Sequence, residues 1–242
     1  MELVGSIAVK KRVLVIDDHP IVREGIAQLL ALEADLACCG SAIDAQTARR
    51  AVQEHQPDVA VLDLSLGRDS GLELIPQLCD DAPGMAVLVL SMHDEALYAK
   101  RALQAGARGY IMKHEGTDLL LQAIRTVVDG QIYVSPSVNA TLLRTLAGAR
   151  QSQPIVASGP LAELSNRELD VYRLVGRGLS TKEIASQLHL SAKTVESHRG
   201  HIKQKLGLES TAALVAHAAQ WLFRGTHVAA EGGSGIVVVD EE

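Results

Sequence analysis

Five side chains of this chain could do chemistry together if the fold gathers them: Asp17 and Asp18, adjacent in sequence, then Asp63, Ser91 and Lys113. Three carboxylates at one place repel one another and raise each other's pKa unless a cation holds them charged. All-oxygen ligands suit Mg²⁺, which accepts one or two carboxylates and keeps room for phosphate oxygens. A carboxylate beside a metal ion, a hydroxyl and an ammonium is a phosphoryl acceptor, with the neighbours neutralising charge on the transferring group. Each residue has an ordinary explanation when taken alone. Asp18 precedes Pro20 and could cap a helix, Ser91 could sit in a turn, and Lys113 could be a solvated lysine. Five such residues gathered at the ends of four strands are hard to reach by chance.

Strand ends are where they fall. Short apolar, β-rich runs at 12–16, 36–39, 59–62, 86–90 and 109–112 alternate with helix-period segments at 20–32, 45–55, 71–79, 95–105 and 118–129. This alternation predicts an α/β doubly wound fold, a five-stranded parallel sheet with right-handed crossovers and helices on both faces. Runs such as Val-Leu-Val-Ile and Val-Ala-Val-Leu are apolar throughout, as central parallel strands must be. Ligands bind such sheets at the carboxyl ends of the strands, where Asp17, Asp18, Asp63, Ser91 and Lys113 all lie.

A Pro- and Gly-containing stretch at 130–160, with a helical candidate near 138–146, reads as a linker. Beyond it the strand signal stops. Four helices, near 166–177, 181–188, 192–206 and 210–223, give an all-α domain whose middle pair has helix-turn-helix form. Gly178 closes the first helix, and Thr181 and Ser191 are candidate N-caps. On the third helix Val195, Ile202 and Leu206 share a face that must be buried. The opposite face carries Lys193, Ser197, Gly200 and Gln204, flanked by Glu196, His201 and Lys203, a polar stripe suited to the major groove. Arg199 projects toward the buried flank, which favours packing or a phosphate contact over base reading. The expected domains are 12–129, a linker at 130–160, a helical domain at 161–224 and a disordered acidic tail at 225–242.

The net charge of −6 is unevenly spread. Residues 1–160 sum to −5, residues 161–224 to +3, and residues 225–242 to −4. The locally basic helical segment keeps nucleic acid open as a partner despite the acidic whole. No apolar run reaches the roughly 18 residues that span a bilayer, and no secretory signal opens the chain. The three cysteines, Cys38, Cys39 and Cys79, fit a reducing cytoplasm better than a disulfide framework, and exclude a four-cysteine zinc site. A cytoplasmic protein without membrane contact is expected.

The motifs Val-Leu-Val-Ile-Asp17-Asp18-His-Pro and Val-Leu-Asp63-Leu-Ser-Leu, with Ser91 28 residues after Asp63 and Gly109-Tyr110-Ile-Met-Lys113 closing 22 later, resemble the receiver domain of two-component response regulators. The segments Leu-Ser-Asn-Arg167-Glu168-Leu, Gly178-Leu-Ser-Thr-Lys182-Glu183-Ile-Ala185, Thr194-Val195-Glu-Ser-His198 and Lys205-Leu-Gly-Leu resemble the LuxR-type DNA-binding domain. Nearly the whole chain is thus similar to a NarL/FixJ-type regulator: a flavodoxin-like receiver, then a four-helix helix-turn-helix domain. The resemblance implies that Asp63 is phosphorylated by a sensor histidine kinase. Mg²⁺ would be held by Asp18, Asp63 and the Ser65 carbonyl, with Asp17 contributing through water. Ser91 and Lys113 would contact the phosphoryl group, and Tyr110 would turn inward on activation. In the DNA-binding domain it implies phosphate contacts for Lys182, Lys193 and Lys203, and base-edge positions for Ser197 and Gly200, with Thr194, Glu196 and Gln204 on the same surface. Two departures stand out. Gly67 replaces the usual proline four residues after the acceptor, and Glu196 and Gly200 stand where relatives place basic residues.

The last helix adds an assembly expectation. From Thr211 to Phe223 there is no charged residue, and apolar side chains point in nearly every direction. A helix covering a small domain should be apolar along one stripe only, so a homodimer through Ser210 to Phe223 is expected in the active state. Charged substitutions at Val215 or Ala218 should then weaken dimeric DNA binding without unfolding the domain. Two rival functions remain: a Mg²⁺-dependent phosphohydrolase with an aspartyl-phosphate intermediate, and a DNA-binding protein whose receiver works without phosphorylation. Against the first, Asp17 and Asp18 are adjacent rather than two apart, and the sequence offers no obvious substrate cap.

Overall fold

The computed structural model describes residues 10–67, 69–93, 95–136, 138–140 and 160–230. The chain divides into two compact units, Met1–Gly159 and Pro160–Glu242.

In the first unit, β1 (Lys11–Ile16), β2 (Leu36–Ala42), β3 (Val59–Leu62), β6 (Ala86–Ser91) and β7 (Gly109–Met112) form one parallel sheet in the order β2-β1-β3-β6-β7. The chain moves outward from β1 in one direction and then returns past it in the other, so the strand order reverses between β1 and β3. Asp17 and Asp63 follow these two strands, at the crevice where doubly wound sheets bind ligands. Val15 and Ile16 pair with Val61 and Leu62, and this register brings the two aspartates level. Every residue of β3 and β6 is buried, which explains runs without polar alternation. On one face α1 (Pro20–Ala31) and α5 (Thr117–Val128) bring Ile26, Leu30, Leu121 and Ile124 onto Val13, Val61 and Leu88. On the other, α2 (Ala45–His55), α3 (Gly71–Asp81) and α4 (Glu95–Gln104) pack in series.

A hairpin of two very short strands, β4 (Ser65–Leu66) and β5 (Asp69–Ser70), rises between β3 and α3. Two residues connect its strands, and the first, Gly67, has φ +56°. Two-residue hairpins need positive φ at that position, where the proline ring, fixed near −65°, cannot be placed. The departure at Gly67 therefore marks a different turn.

In the second unit a 3₁₀ turn (Pro160–Glu163) leads into α6 (Asn166–Gly176), α7 (Thr181–Gln187), α8 (Ala192–Leu206) and α9 (Thr211–Ala230). Ser165 and Ser180 each form a reciprocal capping box with Glu168 and Glu183, and Ser191 caps α8. The cap of α7 is thus Ser180, one residue before the expected Thr181. Thr181 instead bonds across to α8: its hydroxyl donates to Glu196 at 2.6 Å and accepts from Arg199 at 2.7 Å. Val195 and Ile202 are fully buried and Leu206 is half-buried. The last helix runs to Ala230, past the Phe223 end expected from the sequence. Nothing in Arg224-Gly-Thr-His-Val-Ala-Ala forces a stop, since a lone glycine costs a helix only about 1 kcal/mol. Residues 225–230 are therefore helical rather than disordered, and residues 231–242 lie outside the described residues, as does most of the linker helix expected at 138–146. No described helix is long and apolar enough to cross a membrane.

Candidate phosphoryl-acceptor site and nucleic-acid face

The five expected residues meet at one rim. Asp17, Asp63 and Ser91 are buried, and Lys113 reaches in from the end of β7. Its Nζ donates to Asp17 Oδ2 at 2.6 Å and to Asp63 Oδ2 at 2.7 Å. Burial pushes the Asp63 carboxyl above its usual value, and Lys113 pulls against that. For Lys113 the balance is reversed: burial opposes its charge, but the carboxylates of Asp63 and Asp17 outweigh it and raise its pKa. The lysine is a fixed ammonium, not a solvated one.

Asp17, Asp18, His19 and Asp63 can each turn one ligand atom to a common point, all within 4.8 Å of one another. Asp18 Oδ2 accepts the Gly67 N–H at 3.1 Å. Its Oδ1 is buried with no aligned hydrogen bond, although His19 Nδ1 lies 2.8 Å away. Three carboxylates converging beside one histidine are the donor set of a hard cation, so the residues present fit a metal bound mainly by oxygens. Asp18 does not cap α1, whose N-cap is His19.

His19 and His93 are the members that sequence reasoning missed. His93 touches three expected site residues. Its Nε2 lies 2.8 Å from Ser65 Oγ, its main-chain N–H donates to Ser91 Oγ at 3.1 Å, and its carbonyl accepts the Tyr110 hydroxyl at 2.8 Å. Its position two residues after Ser91 was the available signal. Tyr110 is fully buried and already faces inward.

In the second unit, Lys182, Lys193, Glu196, Ser197, Gly200 and Gln204 are exposed, and Thr194 and Lys203 are half-exposed. The polar stripe of α8 is thus a solvent face. Thr194 is partly occupied by its own cap, with its hydroxyl 2.8 Å from Ser191 Oγ. Glu196 is engaged by Thr181 and by Arg199 at 3.4 Å. Arg199 is largely buried, consistent with packing. On α9, Leu214 and Ala218 are fully buried, whereas Val215 is 37% exposed. A Cβ on Gly176 of α6 would stand 2.7 Å from the Ala218 carbonyl, so these helices touch at Ala218. Ala218 therefore belongs to the domain's own core, and the expectation that a charge there would spare the fold is corrected.

Residues 13–125 match the family model described as the response regulator receiver domain, and residues 162–218 match that of bacterial regulatory proteins of the luxR family. The oxygen regulatory protein NreC of Staphylococcus haemolyticus is 36% identical over 208 residues, covering 86% of this chain and 96% of that protein. Among solved structures, RcsB of Salmonella enterica serovar Typhimurium, bound to promoter P1flhDC with the phosphomimetic BeF₃⁻, is 26% identical with a TM-score of 0.58, covering 87% of this chain and 99% of that one. A second RcsB structure, of two dimers bound to two parallel DNAs, is 26% identical with a TM-score of 0.50, covering 87% and 98%.

Proposed function

Since the chain belongs to the response regulators that join a receiver to a LuxR-type domain, we propose that Asp63 is the residue through which its DNA-binding activity is switched. The protein is a DNA-binding two-component response regulator activated by phosphorylation of its receiver, and its aspartate cluster is of the phosphoaspartate kind, not that of a multiple-turnover enzyme. The observation that carries the assignment to Asp63 is the Lys113 ammonium shared between Asp17 and Asp63 on the buried rim.

A carboxylate oxygen of Asp63 attacks the phosphorus of a phosphohistidine on a sensor histidine kinase. The P–O bond forms as the P–N bond breaks, and the imidazole leaves with the bonding pair. Asp18, Asp63 and the Ser65 carbonyl, with Asp17 through water, would hold Mg²⁺, which when bound neutralises charge on the phosphoryl oxygens. Lys113, already 2.7 Å from Asp63 Oδ2, pairs with another phosphoryl oxygen, and the Ser91 hydroxyl donates to a third. Gly67 keeps the Asp18 carboxylate oriented through its N–H.

Output falls to the second unit. Lys182, Lys193 and Lys203 face DNA phosphates, while Ser197, Gly200 and Gln204 lie toward base edges, with Thr194 and Glu196 beside them. Glu196, held by Thr181 and Arg199, leaves less negative charge facing the phosphates than its type suggests. The RcsB dimers on DNA support an active homodimer, for which the exposed side of α9 is the surface we favour.

The deciding experiment incubates the protein with Mg²⁺ and a small acyl-phosphate donor. One hydroxylamine-labile phosphoryl group per chain is expected, absent in Asp63→Asn. Many turnovers of p-nitrophenyl phosphate per Asp63 would favour the phosphohydrolase reading. DNA binding indifferent to a labelled Asp63 would favour the phosphorylation-independent one.

A further inference from the structure

The second unit holds another group of ligating side chains, which phosphoryl transfer does not use and of which only His201 borders the DNA-facing stripe. Glu168 on α6 and His198 and His201 on α8 each offer one ligand atom, and these atoms lie within 4.8 Å of one another. The histidines are three residues apart on one helix and so share a face, and α6 packs directly against α8.

The two oxygens of Glu168 are differently engaged. Oε2 accepts from the Ser165 N–H and from Lys205 Nζ, both at 2.7 Å. Oε1 faces His201 Nδ1 at 3.8 Å, beyond hydrogen-bond distance. The carboxylate is thus oriented by its own scaffold through one oxygen and open through the other, as metal-ligating carboxylates are. His198 is half-buried, and burial lowers its pKa, which favours the neutral imidazole that coordinates metals.

We propose that Glu168, His198 and His201 form a site for a borderline divalent transition metal, with Zn²⁺ the best fit. Two imidazoles and a carboxylate, with a fourth position left to water, are donors Zn²⁺ accepts, whereas Mg²⁺ and Ca²⁺ prefer oxygen alone. Bonds of about 2.0–2.2 Å place tetrahedral ligands roughly 3.4 Å apart, so atoms now within 4.8 Å of one another need close by no more than about 1.4 Å. The exposed ring of His201 can supply that movement while Glu168 stays tied to Ser165 and Lys205. A bound ion would fasten α8 to the helix beneath it. Its bearing on promoter binding rests on the DNA-binding reading, but the site itself does not.

The test uses the full-length protein, stripped with a chelator and labelled with ¹⁵N-histidine, titrated with ZnCl₂ in excess MgCl₂ so that the acidic pocket does not compete. The imidazole signals of His198 and His201, assigned by substitution, should shift together and saturate at one equivalent. His201→Ala should weaken this event at least about tenfold without moving the thermal transition of the metal-free protein. His201→Cys, which replaces one zinc ligand by another, should restore it. Zinc that leaves both rings unmoved, or binds equally well to His201→Ala, would overturn the proposal. So would rings that respond only to pH, since a protonated His201 paired with Glu168 would then account for the cluster.

Discussion

The main-chain N–H of Gly67 donates to Asp18 Oδ2 at 3.1 Å, from a turn whose φ of +56° only glycine adopts readily. The position where relatives carry proline thus supplies a donor that proline lacks. Gly67→Ala keeps the N–H and should leave Mg²⁺ affinity close to wild type while costing about 1 kcal/mol of stability. Gly67→Pro loses both the donor and the turn, and Mg²⁺ affinity should fall by roughly three- to tenfold, the equivalent of one ordinary hydrogen bond. The Mg²⁺ dependence of phosphorylation rate measures both.

Within the pocket, Asp63→Asn should abolish phosphoryl uptake with the fold intact, and Asp18→Ala should slow it by weakening the metal site. Lys113→Ala should still take up phosphate but fail to convey it to DNA binding, because the cation that reads the phosphoryl group is gone. Labelling kinetics and promoter affinity separate the three variants. An unchanged labelling rate in Asp18→Ala would contradict its role as ligand.

DNA binding should weaken steeply with salt, with a log–log slope of about −0.9 for each phosphate neutralised. Lys203→Ala should lower affinity across all sequences and flatten that slope by about one unit. Substitution of Ser197 should change which sequence is preferred. An unchanged preference would mean that α8 meets DNA with another face.

Val215→Glu and Ala218→Glu should now behave differently. Val215 is exposed, so its charge should reduce cooperative, dimeric DNA binding and leave folding alone. Ala218 is fully buried against α6, so a glutamate there would bury an unpaired charge and destabilise the domain by at least about 3 kcal/mol. Sedimentation with operator DNA tests the first and thermal unfolding the second.

Glu168 supplies a pH dependence. Burial alone would raise its pKa, but Lys205 and Ser165 outweigh it and the folded value lies below the usual 4.5. Its contribution is therefore complete above pH 4.5 and is lost as pH falls through the folded value. Trp221, the chain's single tryptophan, lies 6.2 Å from the Tyr172 ring and reports on this unit. Its unfolding transition should drop in acid, and Glu168→Gln should flatten that drop while costing about 1–3 kcal/mol at neutral pH.

The sheet and the acceptor pocket were legible because parallel strands buried on both faces leave unbroken apolar runs, and because topology alone sets their ends on one rim. Ala45–His55, Val59–Leu62 and Ala192–Leu206 begin and end where their apolar periods and caps do. Less was legible where spacing carries no period. The β4–β5 hairpin has strands too short to alternate. His93 acts largely through its main chain, whose path no side-chain pattern records. Ala218 could not be told from Val215, because a helix apolar all round hides which stripe is buried.

The Tyr110 hydroxyl bonds to the carbonyl of His93, and the N–H of the same residue bonds to Ser91. Both partners are peptide groups, so replacing the histidine side chain removes neither bond. A message that leaves the pocket by this route is written in the path of the backbone between Ser91 and His93. Substituting the His93 side chain would miss it, while amide exchange at His93 would read its bond to Ser91 directly.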